Sequence, residues 1–257
     1  MLNYKCTASI VLFNSNITDI ENLISNFEID IWIFLVDNSP TDDLKILAND
    51  KRIEYYHNPS NPGFGAAHNI AINKAISLGS KYHFIVNPDV FFEGNVIESM
   101  VDVMKDNPDI GMMMPQILNL DGSIKNLPKL LPTPLSIVLR KLRWPKRLYS
   151  RFLDRYELRS VPKNKVYNTP ILSGCFTLLN LDAVQDVGTY DDRFFMYFED
   201  VDFCLKAKSK EFNLTHVSTI ASQTPNGPSP LMRSRNSVLL ARRTGSALFM
   251  SSVTKRN

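Results

Sequence analysis

NPSNPGFGAAHNIAINKAISLGSKYHFIVNPDVFF, residues 58–92, passes from a loop punctuated by Gly and Pro, through a stretch at helical spacing, into an apolar strand. The strand ends abruptly at Asn87, Pro88 and Asp89. A carboxylate at the carboxyl end of a buried strand lies where open α/β sheets bind ligands, and Asp with Asn offers hard oxygens to a divalent cation. A polar turn after a core strand accounts for the same three residues. Upstream, Gly63 and Gly65 free the backbone to approach a ligand closely, and the helix that follows aims its N-terminal amides at the same place.

Outward from this unit the alternation continues. Strand patterns fall at Thr7–Phe13, Ile31–Val36, Ile53–His57, His83–Val86 and Gly111–Met114, and helical patterns at Asp19–Phe27, Asp42–Asn49, Ala66–Ser77 and Val96–Lys105. The pattern predicts a mostly parallel sheet flanked by helices, and the Asp121-Gly122 pair predicts a hairpin turn after it. Met104 and Met112–Met114 read as core filler.

At 257 residues, 44% of them hydrophobic and 21% charged, the chain is long enough for one sizeable α/β domain and is not disordered by composition. No stretch approaches the roughly 20 apolar residues of a membrane-spanning helix. Ala8–Phe13 is too short for the apolar region of a signal peptide and lacks a small-residue cleavage site, so it reads as the first strand of a cytoplasmic protein. Cys6, Cys175 and Cys204 are odd in number and lack metal-like spacing, which suits reduced core thiols.

A second stretch carries the chemistry: SGCFTLLNLDAVQDVGTYDDRFFMYFEDVDFC, residues 173–204. Glu199 and Asp200, with Asp202 beyond, close an aromatic run. Buried aromatics raise carboxylate pKa values and exclude water, which suits a general base. A helix N-terminus, where the macrodipole favours acidic residues, is the plainer account of the same pair. Of the histidines only His68 lies inside a motif; His57 and His83 read as surface or packing residues, and no Ser/His/Asp constellation points to a hydrolase.

SIVLFN at Ser9–Asn14, FLVDNSPTD at Phe34–Asp42, NPGFGAAHN at Asn61–Asn69, VNPD at Val86–Asp89, LSGCF at Leu172–Phe176 and GTYDDRFFMYFEDVD at Gly188–Asp202 stand in one order. In that order they resemble the inverting glycosyltransferases of family 2, most closely the bacterial rhamnosyltransferase-like branch that builds surface polysaccharides. The resemblance implies a GT-A type, Rossmann-like α/β fold and a nucleoside-diphosphate sugar donor, with dTDP-L-rhamnose the expected one. It places Asp37, Asn38, the Gly63 loop, Asn69, Ser173 and Gly174 at the nucleotide sugar. It places Asp89, with Asn87, on a divalent cation, Mg²⁺ or Mn²⁺, that bridges the diphosphate. The family's more widespread Asp-x-Asp appears here as Asn87-Pro88-Asp89, so one charge is missing. Asp200 falls where the family has its base, with Glu199 orienting the acceptor or sharing that role. Tyr197 and Asp202 are expected on the acceptor side, and Tyr197 with Phe195 and Phe198 would form a sugar-stacking wall or simply enter the core.

The domain is expected over residues 1–212, with a basic insert at 129–165. There Arg140, Lys141, Arg143, Lys146, Arg147 and Arg151 alternate with Leu142, Trp144, Leu148, Tyr149 and Phe152, a composition suited to an anionic membrane surface or to a solvated basic helix. No nucleic-acid fold signature accompanies it. Relatives glycosylate polyprenyl-diphosphate-linked glycans, which implies a peripheral position at the inner face of the cytoplasmic membrane and a role of O-antigen type in lipopolysaccharide biosynthesis. Residues 213–257 break the pattern: beyond Glu211 there is no Asp or Glu, and Ser, Thr and Arg accumulate. Family members usually carry a His near the place where Thr224 stands. An atypical native tail and a shifted reading frame near Asn213 both explain the break, and either leaves a pseudoenzyme that binds nucleotide sugar as the rival reading. A nucleotidyltransferase is the third, although Asn14–Asp19 lacks its Gly-, Arg- and Lys-containing signature.

Overall fold

A computed structural model of the chain describes residues 6–27, 31–92, 94–131, 133, 138–139, 146–159, 161 and 165–223. Eight strands form one sheet: β1 (Cys6–Leu12), β2 (Trp32–Asp37), β3 (Ile53–His57), β4 (Tyr82–Val86), β5 (Ile110–Leu118), β6 (Val166–Asn168), β7 (Phe176–Asn180) and β8 (Asn213–Gln223), in the spatial order β3-β2-β1-β4-β7-β5-β8-β6. The helices are α1 (Ile17–Ser25), α2 (Phe64–Ser77), α3 (Val96–Asp106), α4 (Lys146–Tyr156), α5 (Leu181–Val187) and α6 (Glu199–Ser209).

β1 pairs in parallel with β2 and β4, β2 with β3, and β5 with β8. β7 runs antiparallel between β4 and β5, so those two point the same way, and β6 is antiparallel to β8 at the edge. The sheet is thus mostly parallel, as the alternation predicts. Successive residues feed opposite cores because strand side chains alternate in direction. Ala8, Ile10, Leu12, Ile33 and Leu35 join α1 and α3 on one face, while Val11, Phe34, Val36 and Ile85 join α2, α5 and α6 on the other. Each fully buried Phe, such as Phe34, Phe84 and Phe176, contributes roughly 2–3 kcal/mol. Met104 and Met112–Met114 are buried, as expected of core filler.

Local chemistry sets the element ends. Asn16 caps α1, its side chain accepting from the amides of Thr18 and Asp19, so the helix starts two residues before Asp19. The stretch expected as a helix at Asp42–Asn49 is a 3₁₀ helix, Asp43–Asn49, with no side-chain cap bond. The Asp121-Gly122 reversal forms: Asn119 donates to the Ser123 carbonyl at 2.8 Å, and Gly122 takes φ 78°. The chain then returns along β5 through a Leu118–Ile124 bridge.

One expectation is corrected. Asn213–Gln223 does not leave the domain: it is β8, held between β5 and β6, with Leu214–Val217 buried because both sheet faces are covered there. The domain therefore extends past 212 to at least Gln223. The remainder of the expected tail, 224–257, and Arg140, Lys141, Arg143 and Trp144 of the insert lie outside the described residues.

Candidate active site

The strand directions bring every candidate segment to one edge. The carboxyl ends of β2, β4, β5 and β8 open there, and so does the entry to β7, because β7 runs the opposite way. At the end of β2, Asp37 is fully buried, and each carboxylate oxygen has a donor: the Ser39 amide at 2.9 Å and the Tyr55 hydroxyl at 2.7 Å. Asp37 therefore shapes this corner, whereas the buried Asn38 side chain has neither its oxygen nor its nitrogen partnered. Buried polar groups are nearly always paired, so Asn38 marks a place for a ligand with both a donor and an acceptor.

Glu199 and Asp200 open α6, so both accounts of the pair hold at once: a helix N-terminus and a buried acidic site. The dipole favours both carboxylates, yet burial prevails. It pushes Glu199 up to about 8, with the charge of Asp200 adding to the effect, and it raises Asp200 as well. Asp200 accepts from the amide of Val201 at 2.8 Å, and the backbone of Gly174 offsets part of the rise that burial gives its pKa. Glu199 faces inward, with its Cβ and Cγ against Gly65 and one oxygen buried without a partner. Asp202 instead forms an ion pair with Lys206 at 2.9 Å, one helical turn away.

Tyr197 and Phe198 enter this helix at φ 69° and 70°, a left-handed conformation costing of order 1–3 kcal/mol each in bulky residues. Both rings are exposed, at 42% and 43%, so of the two accounts of the aromatic run they follow the open one. What holds the loop is α2. Both ends of the Asn69 amide bind the Tyr190 backbone, accepting from its N–H at 3.0 Å and donating to its carbonyl at 2.8 Å. The Phe64 amide donates to the Phe195 carbonyl at 2.8 Å. At Gly63, φ 107°, an added Cβ would stand 2.1 Å from the same Phe195 oxygen. The space freed by Gly63 and Gly65 is thus filled by the acidic loop itself, with Tyr190 and Glu199 against Gly65. Gly63 and Asn69, expected at the nucleotide, act on the loop that carries the acidic pair.

At the end of β4, one side-chain oxygen of Asn87 and one of Asp89 are buried without a donor, and burial raises the Asp89 pKa. Among the described residues no three His, Cys, Asp or Glu side chains converge as a metal site. Two hard oxygens do fit Mg²⁺ or a like ion, which usually takes one or two protein oxygens and completes its shell with phosphate and water. The turn is braced on both sides: Asn87 donates to the Cys175 carbonyl at 2.8 Å, and Phe91 exchanges hydrogen bonds of 2.8 and 2.6 Å with Gln223 at the end of β8.

Tyr55, Lys125 and Lys129 stand at this edge outside every quoted motif, and Tyr190 lies within one without being singled out by it. Tyr55 holds Asp37. Tyr190 is buried with an unpartnered hydroxyl and a pKa pushed well up by burial and by Asp200. Burial raises the pKa of Asp89, Cys175 and Asp200, and the charge of Lys125 offsets part of that rise at the first two and that of Lys129 at the third. The Asp121-Gly122 turn is the signal for the lysines, since a chain reversed there must run back past the carboxyl edge.

The model of the family described as "Glycosyl transferase family 2" matches residues 19–188, more than half of the chain. The chain belongs to glycosyl transferase family 2. The matched region of this family 2 chain ends before the acidic pair. Among curated proteins it is 23% identical over 216 residues to the low-salt glycan biosynthesis hexosyltransferase Agl10 of Haloferax volcanii, covering 82% of this chain and 65% of that one. It is 26% identical over 186 residues to the N-acetylglucosaminyl-diphospho-decaprenol L-rhamnosyltransferase of Mycobacterium tuberculosis, covering 67% of this chain and 59% of that one. The family 2 chain thus spans about three-fifths of the length of these relatives. Solved structures share the GT-A fold: GalNAc-T7 with UDP, GalNAc and Mn²⁺ at TM-score 0.62 and 16% identity, covering 93% of this chain and 47% of that one. The mannosyltransferase PcManGT of Pyrobaculum calidifontis, in complex with GDP-Man and Mn²⁺, follows at 0.59 and 13%, covering 88% and 58%.

Proposed function

We propose that this chain is an inverting glycosyltransferase that moves a sugar, L-rhamnose from dTDP-L-rhamnose, to a polyprenyl-diphosphate-linked glycan of O-antigen type at the inner face of the cytoplasmic membrane. The observation that carries the reading is the meeting, at one sheet edge, of the Glu199–Asp200 pair with the unpartnered oxygens of Asn87 and Asp89 and the unpartnered amide of Asn38.

Asp200 is the base. It is partly exposed and held by the Val201 amide, and it takes the proton of an acceptor hydroxyl while that oxygen displaces the nucleoside diphosphate from the anomeric carbon in one step. Glu199, protonated near neutral pH, adds no second negative charge beside the base. Asn38 offers donor and acceptor to a base such as thymine or uracil, and Ser173 and Gly174 lie between Asp200 and the donor. A divalent cation on Asp89 and Asn87, when bound, neutralises charge on the leaving diphosphate. Tyr197 presents its ring on the acceptor side, and Asp202 supports the same side from its ion pair with Lys206.

The relatives favour this donor and acceptor class, since one is named a decaprenol-diphosphate L-rhamnosyltransferase. The insert favours a membrane surface through Arg147, Arg151 and Arg155, spaced by four along α4 and exposed. The single charge of Asp89 beside the neutral Asn87 favours, as the second reading, a protein that binds nucleotide sugar without turnover. Release of nucleoside diphosphate from dTDP, UDP and GDP sugars, with a membrane lipid extract as acceptor, tests both. Release from the dTDP sugar supports transfer, whereas binding without release from any donor supports the rival.

A further inference from the structure

His68 lies inside the motif NPGFGAAHN and ends a buried chain of hydrogen bonds that crosses from the sheet into α2. Thr7 Oγ1 stands 2.7 Å from His83 Nδ1, His83 Nε2 stands 2.8 Å from Ser9 Oγ, and Ser9 Oγ stands 2.7 Å from His68 Nδ1. All four side chains are fully buried. Burial keeps both imidazoles neutral, each with one N–H. Ser9 has a single hydroxyl proton, so at least one imidazole donates to it, and a flipped His68 ring would set a C–H against this oxygen. The His68 ring is thereby locked in rotation. It meets Phe64, one helical turn earlier, with ring centroids 4.4 Å apart and planes at 67°. Phe64 in turn touches both loops that flank the reaction centre. Its amide donates to the Phe195 carbonyl at 2.8 Å, and its ring edge stands 3.3 Å from where a Cβ on Gly174 would lie, which leaves little room for any residue but glycine at 174.

We propose that His68 is a positioning residue for transfer: held from the sheet by Ser9, it fixes the Phe64 ring, which sets the Ser173–Gly174 loop and the entry to α6 at one spacing. This rests on the glycosyltransferase reading, which puts the donor at the first loop and the base after the second. An apolar side chain at 68 would fill the space without burying a polar group, but it would give the Phe64 ring no fixed orientation. Buried polar chains cost stability unless complete, and what a complete one supplies is a single arrangement.

The test is steady-state transfer by the full chain, from whichever of the dTDP, UDP and GDP sugars it turns over, beside long-range ¹H–¹⁵N spectra of its histidines. The proteins compared are the unmodified chain, His68→Phe, Ser9→Ala, these two combined, and Phe64→Leu. The unmodified protein should show His68 neutral in one tautomer, and Ser9→Ala should change that signal. His68→Phe, Ser9→Ala and Phe64→Leu should each lower kcat about 10- to 100-fold with KM and nucleotide affinity within about twofold, the scale of a small misplacement at the reacting atoms. The combined variant should lose no more than the larger single loss, because both changes cut one link. Phe64→Leu leaves the hydrogen-bonded chain in place, so it should keep the His68 tautomer while losing turnover. Full turnover in Phe64→Leu or His68→Phe, a kcat that falls only with the folded fraction, single losses that simply add, or a His68 signal averaged over both tautomers in the unmodified protein would overturn the inference alone. Absence of transfer from every donor by the unmodified protein overturns the glycosyltransferase reading and this inference together.

Discussion

Glu199 and Asp200 are neighbours in different settings, because one carboxylate is buried with an unpartnered oxygen and the other accepts from the Val201 amide. Asp200→Asn keeps the shape and cannot take a proton. We predict a fall in transfer of at least about 10²-fold with nucleotide affinity within twofold, measured by diphosphate release and calorimetry; comparable turnover would pass the base role to Glu199. Glu199 makes a prediction about stability. Its folded pKa, about 8, lies above the ordinary 4.5, so the folded state holds the proton more tightly, and stability falls as pH rises from about 4.5 to about 8. Glu199→Gln should remove that slope, raising the melting temperature at pH 8 while leaving it almost unchanged at pH 4. A variant whose melting curve tracks the unmodified protein across this range would refute the assignment.

Between residues and fold stands the loop from Gly188 to Phe198, which α2 holds in a strained entry to α6. Asn69→Ala removes two hydrogen bonds to the Tyr190 backbone and should cost about 1–3 kcal/mol of stability. Transfer should fall further than nucleotide affinity if the loop carries the proposed base while the proposed nucleotide corner stands on β2; equal losses in both would contradict this division. Much of this edge is legible in the sequence. A strand that stops at Asn87–Asp89, an acidic pair after aromatics and a loop before α2 all announce themselves through local composition. The use made of Gly63 and Asn69 does not, since a glycine freed for a ligand and one freed for Phe195 look alike until the partner segment is placed. β7 and β8 escape for a related reason. β7 reads locally as a short apolar run and β8 as a stretch rich in Ser and Thr, and only position between distant strands makes each part of the sheet.

At the scale of the molecule, three buried histidines oppose Glu199. His68 and His83 meet at Ser9, with His68 Nδ1 at 2.7 Å and His83 Nε2 at 2.8 Å from its hydroxyl. Burial drives His68 well below 6.5, His83 to about 3 and His216 to about 4. Folded pKa values below the ordinary one mean that stability is complete above about 6.5 and drains away as pH falls toward 3, so with Glu199 opposing them the melting temperature should peak at about pH 7. A flat profile below pH 6 would contradict neutral histidines in the core. Charge reversal at Arg147, Arg151 and Arg155 should release the protein from anionic vesicles, and salt should do the same because surface charges are screened within about 8 Å at physiological ionic strength; salt-insensitive sedimentation would contradict docking through this helix. The two hydrogen bonds between Phe91 and Gln223 carry a different consequence, one of timing. The turn that bears Asp89 is synthesised early, yet its brace comes from a residue more than a hundred positions later, a contact whose loop-closure cost delays it in folding. A nascent chain would therefore complete its strands from β1 to β4 before it could brace the turn that bears Asp89.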